Sequence, residues 1–477
     1  MRILPTVIAM VLAAVSVGMM ALVMRGGGLG GASGDVALTA PALEAIRGLP
    51  VDDIERITLR RADEPARVFE RRDGRWWQTE PFAYPMEMFS IRQLALVAVL
   101  ATREGAVLPV SLDETAVPDS LGLDPPRAAL TYEWPGGRIS VELGRLAGAG
   151  RGYLRPQGGD EVFSVEQGLH LRAIQQNPWE WRDRRLFRDV SVDADSIERN
   201  ANLAAGQERL KVVRDRRMWR IVEPVSARAE PMALEQWLRG LETAQVTGFV
   251  VDQPDDLARF GLDAPPASVT LTSTRRLSAG ADDEVTTEPV VQTVLIGNRV
   301  DATSNDRYAM IAGMPAVFRL SLEERAKLLP QLLAVVAQTA SGVAPPDVKE
   351  ILIQGRDDEL RLELDLDQWK VASMGGRAAD ARAVNDLLRQ LTSLRPEQIA
   401  RDAFPVSDQV AVVSFFGRDG RPLDTVRIAR EAVSASGGGG GRWILENGDE
   451  ILRYYPATVT FRLTARDLGL IAPLPGN

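Results

Sequence analysis

Apolar and polar side chains alternate along much of the chain, as in "ASVTLTS" (Ala267–Ser273), and this period predicts half-buried β-strands. Three such strands carry tryptophan: "GRWWQTEP" around Trp77, "RMWRIVEP" around Trp219 and "DQWKVASM" around Trp369. Asp73-Gly74, just before the first, is a good two-residue hairpin turn. A stretch with helical apolar spacing follows each: "SIRQLALVAVLATRE" from Ser90, "ALEQWLRGLETAQ" from Ala233 and "ARAVNDLLRQLTSL" from Ala381. The strands "SVELGR", "TVLIGNR" and "TVRIARE" come next, then strands ending in "VFSV", "VFRL" and "ILRY". Trp77 and Trp219 lie 142 residues apart, and Trp219 and Trp369 lie 150 apart.

The pattern therefore runs three times, which predicts an α+β chain of three tandem copies of one domain, each an antiparallel sheet with helices. The expected divisions are an N-terminal segment 1–25, a Gly/Ala-rich linker 26–50, and repeats over 51–190, 191–344 and a divergent 345–477.

A short phrase marks the same place in two copies: Gly122-Leu123-Asp124, then Pro126, and Gly261-Leu262-Asp263, then Pro265. The glycines are 139 residues apart. The second copy reads as the end of a short helix that Pro254 begins, with Gly261 left-handed just past it and Leu262 folded back on Leu257. Pro265 and Pro266 forbid continuation and send the chain into a strand. The third copy lacks the phrase at that place, but "RDLGLIAP" stands at its end. A helix stop explains the phrase better than a catalytic Asp124 or Asp263.

Composition adds an address. No charge falls between Ile3 and Met24, and 22 helical residues reach roughly 33 Å, enough to cross a bilayer core. A retained single-pass anchor is expected, with the body outside the cytoplasm of a bacterial inner membrane, although the small residues of "GGASG" leave cleavage open. With no cysteine, disulfides and a lipidated N-terminal cysteine are excluded. Beyond residue 25 the chain holds 54 basic and 65 acidic residues, a net −11, which argues against nucleic acid or anionic lipid head groups as broad partners.

Candidate chemistry is sparse. One histidine, His170, and no cysteine exclude the usual zinc, haem and iron–sulfur sites, so no metal or cofactor is expected. "GGGLGG" (Gly26–Gly31) matches a dinucleotide-binding pattern but follows no strand, and "GGGGG" (Gly437–Gly441) reads as a loop. The acidic clusters "ADDE", "RDDE" and "ENGDE" lack calcium-loop spacing. "PWEWRDRRLFRD" (Pro178–Asp189) concentrates Trp179, Trp181, Arg184 and Arg185; it could dock a partner, but the plainer reading is a packed junction between repeats.

The tryptophan strand ending in Glu-Pro, the amphipathic helix, the Gly-Leu-Asp-x-Pro turn and the "RDRRLF" segment together resemble the bacterial domain-of-unknown-function family 4340, over roughly residues 50–330. The resemblance implies one N-terminal membrane segment and, for some members, genes beside ABC-type transport components like those of gliding-motility systems. It implies no catalytic residues. The expectation is a non-enzymatic, membrane-anchored envelope protein, an accessory subunit of a membrane complex such as an ABC-type transporter. The alternative is a module binding envelope glycan or peptide in clefts between repeats. A third, an enzyme, would have to rely on carboxylates.

Overall fold

The computed structural model describes residues 40–41, 50–106, 120–159, 161–188, 190, 194–203, 206–215, 218–277, 286–356, 358–431 and 441–470. The expected anchor 1–25, nearly all of the linker 26–50, "ADDE" and most of "GGGGG" lie outside them. Among the described residues no helix is long and apolar enough to cross a membrane.

The described chain forms antiparallel sheets with few helices. The three longest helices, Met88–Val99, Pro231–Thr243 and Ala381–Ser393, fall where apolar spacing predicts them. Pro231 fits the first turn, where its missing N–H costs nothing. Asp380 caps the last helix by accepting from the Arg382 N–H at 2.9 Å. Each buries one stripe, for example Leu234, Trp237 and Leu241 on the second.

The middle sheet runs, in space, Ala227–Arg228, Met218–Glu223, Gly206–Asp215, Ala194–Leu203, Ala267–Leu277, Thr286–Arg299, Arg307–Ile311, Ala316–Leu320, Gly248–Asp252. The last sheet runs Arg377–Ala378, Gln368–Val371, Glu359–Asp365, Glu350–Gly355, Gln409–Phe416, Pro422–Arg430, Trp443–Glu446, Ile451–Tyr455, Gln398–Arg401. Numbered along the chain within each sheet, both have the order 4-3-2-1-6-7-8-9-5. Register agrees too. Ile197 faces Leu271 in the middle sheet and Ile351 faces Phe415 in the last. All four are fully buried. Burying one such side chain stabilises by roughly 1.5–3 kcal/mol, so these rows hold the two cores together.

Compactness divides the chain elsewhere than the sequence pattern does. One unit holds the described residues up to Arg71 and Ile91–Gln176; the other holds Arg72–Ser90 and everything from Asn177 onward. In the first unit neighbouring strands run Ala40–Pro41, Thr102–Ala106, Phe163–Glu166, Arg151–Pro156, Gly137–Ala147, Ala128–Trp134, Arg56–Arg61, Arg67–Arg72. Apart from the first strand, this is the 5-9-8-7-6-1-2 portion of the same order. The second unit takes up Phe82, Tyr84, Leu186 and Phe187 because they enter the middle sheet's apolar core.

Candidate functional site

Gly261 is left-handed, at φ 67° and ψ 33°. The Leu262 N–H donates to the Leu257 carbonyl (3.0 Å) and the Gly261 N–H to that of Ala258 (2.9 Å), the paired bonds of a Schellman stop. The helix it ends is shorter than expected, a single 3-10 turn over Ala258–Phe260. Asp256 takes up the Ala258 N–H at 2.9 Å, so the turn forms without the helix that Pro254 would begin. Gly469 repeats both bonds, from Leu470 to Ala465 (2.9 Å) and from Gly469 to Arg466 (3.1 Å). Gly122 has φ 69°. Leu262 packs with Leu257, Phe260 and Val317, and Leu123 with Leu121 and Val162. Asp124 and Asp263 point to solvent and Pro126 and Pro265 are half-buried, so the phrase brings no reactive groups together.

Beneath each phrase lies a glycine that sequence reasoning missed. A Cβ on Gly144 would stand 2.4 Å from the Leu121 carbonyl oxygen, and one on Gly297 would stand 2.2 Å from that of Phe260. The turn can rest on the strand only where the strand has no side chain. The last sheet, which has no Gly-Leu-Asp at this place, carries Ala429 there, packed with Phe404. The signal was present in the aligned strands "SVELGR", "TVLIGNR" and "TVRIARE".

The tryptophans mark a second shared contact. The carbonyls of Trp219, Trp369 and Trp76 accept from Ala229 (3.2 Å), Ala379 (2.8 Å) and Met86 (2.9 Å). Trp76, not Trp77, thus holds the place of Trp219 and Trp369. Trp76 and Trp369 are buried and Trp77 and Trp219 half-buried. The following residues, Glu87, Glu230 and Asp380, donate their N–H to Trp181, Val335 and Leu468, tying each closing segment to the start of a helix.

The tryptophans of "PWEWRDRRLFRD" pack within the second unit. Trp181 is 1% exposed. Trp179 is half-buried and donates to Asp252 at 3.2 Å. The neighbouring Arg182, also 1% exposed, grips Asp252 with two bonds of 2.7 and 2.8 Å. Its guanidinium lies 4.8–5.2 Å from the rings of Phe82, Tyr84 and Phe249. Arg184 and Arg185 are exposed, and Arg185 pairs with Asp183 at 2.9 Å. Burial pushes the Asp183 carboxyl up, but Arg185 and Arg188 outweigh it and hold the group below its ordinary value.

The most site-like feature is a cleft of about 540 Å³ where the middle sheet's helix meets the segment leading to the last sheet, lined by Trp219, Arg228, Leu234, Leu238, Thr339 and Val343. Arg228 donates to the Thr339 carbonyl at 3.0 Å. Burial holds its guanidinium below the ordinary arginine value, opposed by Asp424. Gly342 makes room, since a Cβ there would lie 2.2 Å from Arg228 Nη1. Met218 (70% exposed) lines the cleft, and Met232 (66% exposed) lines a neighbouring cavity of about 580 Å³ with Glu230 and Arg395. Apolar walls, a tryptophan and one partly buried cation suit binding, and the Ser341 hydroxyl, which donates to Asp424 at 2.8 Å, also lines the cleft.

His170 lies in the first unit, buried, with Nε2 2.8 Å from the Tyr153 carbonyl. Among the described residues no group of three or more His, Cys, Asp or Glu could hold a metal ion. Residues 219–411 match the family described as Domain of unknown function (DUF4340), from Trp219 through the cleft and into the last sheet. No curated protein and no solved structure matches the chain.

Proposed function

We propose that this DUF4340-family protein is a non-enzymatic accessory subunit of a membrane complex such as an ABC-type transporter. It is held at a bacterial inner membrane by residues 1–25, with its body outside the cytoplasm. Its body is three tandem copies of one sheet-and-helix domain, and the shared strand order of the sheets supports that reading. The observation that carries the binding role is the cleft beside Trp219. Exposed methionines beside an apolar groove suit a partner's apolar side chain, because thioethers adapt to irregular surfaces. Affinity purification from gently solubilised membranes tests it. The full chain is expected to bring down a membrane partner, and Met218→Glu with Met232→Glu should cut recovery by roughly tenfold. Repeated recovery of the protein alone defeats the reading.

The same cleft supports a second reading, an envelope glycan or peptide site, because Trp219 stands beside the polar groups of Arg228, Glu230 and Ser341. Co-sedimentation with purified cell-wall material would favour it, and loss of that sedimentation in Trp219→Ala would place the ligand here.

A further inference from the structure

One corner of the fold is filled in the first and last sheets and open in the middle one. Arg199 is 1% exposed and faces Val269. Two residues after the matching isoleucines Ile57 and Ile351, the first and last sheets hold Leu59 and Ile353 in this position, facing Leu130 and Val413. Both are buried. A core guanidinium costs more than the aliphatic side chain it replaces, so its presence asks for a use. Glu208 pairs with Arg199 on one side, while Nε is buried without a hydrogen-bond partner among the described residues.

The neighbouring positions differ in the same sense. Arg307 faces Leu320, where the first unit has Gly152 facing Val165 and the last sheet has Trp443 facing Tyr455. Five residues beyond those partners stand Arg325 in the middle and His170 in the first unit. His170 fills its corner so closely that a Cβ on Gly152 would lie 2.5 Å from the ring. Trp443 fills the last corner against Phe461, ring centres 5.4 Å apart. The middle sheet instead keeps a pocket of about 400 Å³ lined by Arg199, Asn202, Ile296, Arg307, Arg325 and Leu329, and no acidic residue lines it among the described residues. Arg307 and Arg325 each give one long bond to a backbone carbonyl, Gly297 (3.4 Å) and Asn305 (3.3 Å), which leaves most of their donors for a ligand. Burial, then Arg325 and Arg299, hold Arg307 below its ordinary value, as expected of a cation gathered with others of its sign. The chain as a whole is net −9, so this local gathering of arginines stands out.

We propose that this corner binds an amphiphilic oxyanion: a phosphate or carboxylate among Arg199, Arg307 and Arg325, carried on a short apolar group against Ile296, Leu322 and Leu329. Titration calorimetry of the full chain in non-ionic detergent tests it with hexyl phosphate, hexanoate, inorganic phosphate and neutral hexyl glucoside. At least one hexyl anion is expected to bind at one site per chain, inorganic phosphate more weakly at the same site, and the glucoside not at all. Arg307→Gln and Arg325→Gln should each weaken binding by roughly tenfold, the loss of a charge-assisted bond, while Arg382→Gln on the exposed face of another helix changes nothing. Arg199→Leu restores the residue type of the other two sheets and is expected to fold with unreduced Tm yet lose the same tenfold. Should it not fold, the Arg307 and Arg325 variants decide. No binding of either hexyl anion, equal binding of the glucoside, or wild-type binding by both Gln variants overturns the proposal. Inorganic phosphate binding as tightly as hexyl phosphate overturns its apolar half.

Discussion

The middle and last sheets run nine strands in one order and finish the same corner in two ways. In the middle sheet a left-handed Gly261 turns the chain onto a bare strand at Gly297; in the last sheet Ala429 stands at that place and Phe404 packs on it. Turn and strand residue differ together. The fold tolerates either pair, because what the corner must supply is contact without overlap, and a methyl in one sheet fills the room that a backbone carbonyl takes in the other.

Exchanging single members of the pairs should break this symmetry. Gly297→Ala drives a Cβ to 2.2 Å from the Phe260 carbonyl, an atom that cannot swing away. It should cost about 3 kcal/mol, the upper end for an overpacked core. The opposite change, Ala429→Gly, should cost only about 1 kcal/mol, the ordinary penalty of glycine in a strand. Urea denaturation of the two variants measures both, and equal losses would dissolve the comparison.

The turn itself should respond less. Gly261→Ala keeps φ near 67° only with strain and pushes aside the end of the Asn298 side chain, about 2 kcal/mol in all. Gly469→Ala meets no atom nearer than the Asp380 Cβ at 3.4 Å, so about 1 kcal/mol is expected. Thermal unfolding of the pair would sharpen the contrast between a stop seated on a strand and one beside a helix cap.

The smallest effect separates the corners by pH. Burial lowers the His170 pKa from 6.5, opposed by the Tyr153 carbonyl. The unfolded chain therefore binds its proton first as pH falls below about 6.5, and the first unit loses stability from there down to the lower folded value. No histidine lines the middle corner among the described residues. His170→Leu should flatten the slope of stability against pH between 5 and 6.5.

Much of this was legible in sequence. Period-2 strands, apolar helix stripes and left-handed glycines are local properties, so the three long helices and the Gly261 stop stand where pattern places them. Asp73 and Gly74, read as a hairpin turn, both take positive φ, 50° and 74°. Adjacent tryptophans hid which of Trp76 and Trp77 faces inward, a choice made by register with Pro85 and Tyr84 rather than by residue type. Arg182 and Arg199 were illegible for a different reason. Charged residues in strands and loops read as solvent-facing, and only the fold brings three aromatic rings around one and a core position to the other.

The claim that the repeated phrase is a structural corner and not a site is tested most directly on Gly261→Ala, with urea stability and partner capture measured on one preparation. A fall of about 2 kcal/mol with capture intact under folding conditions is predicted. Unmoved stability with capture lost would contradict it.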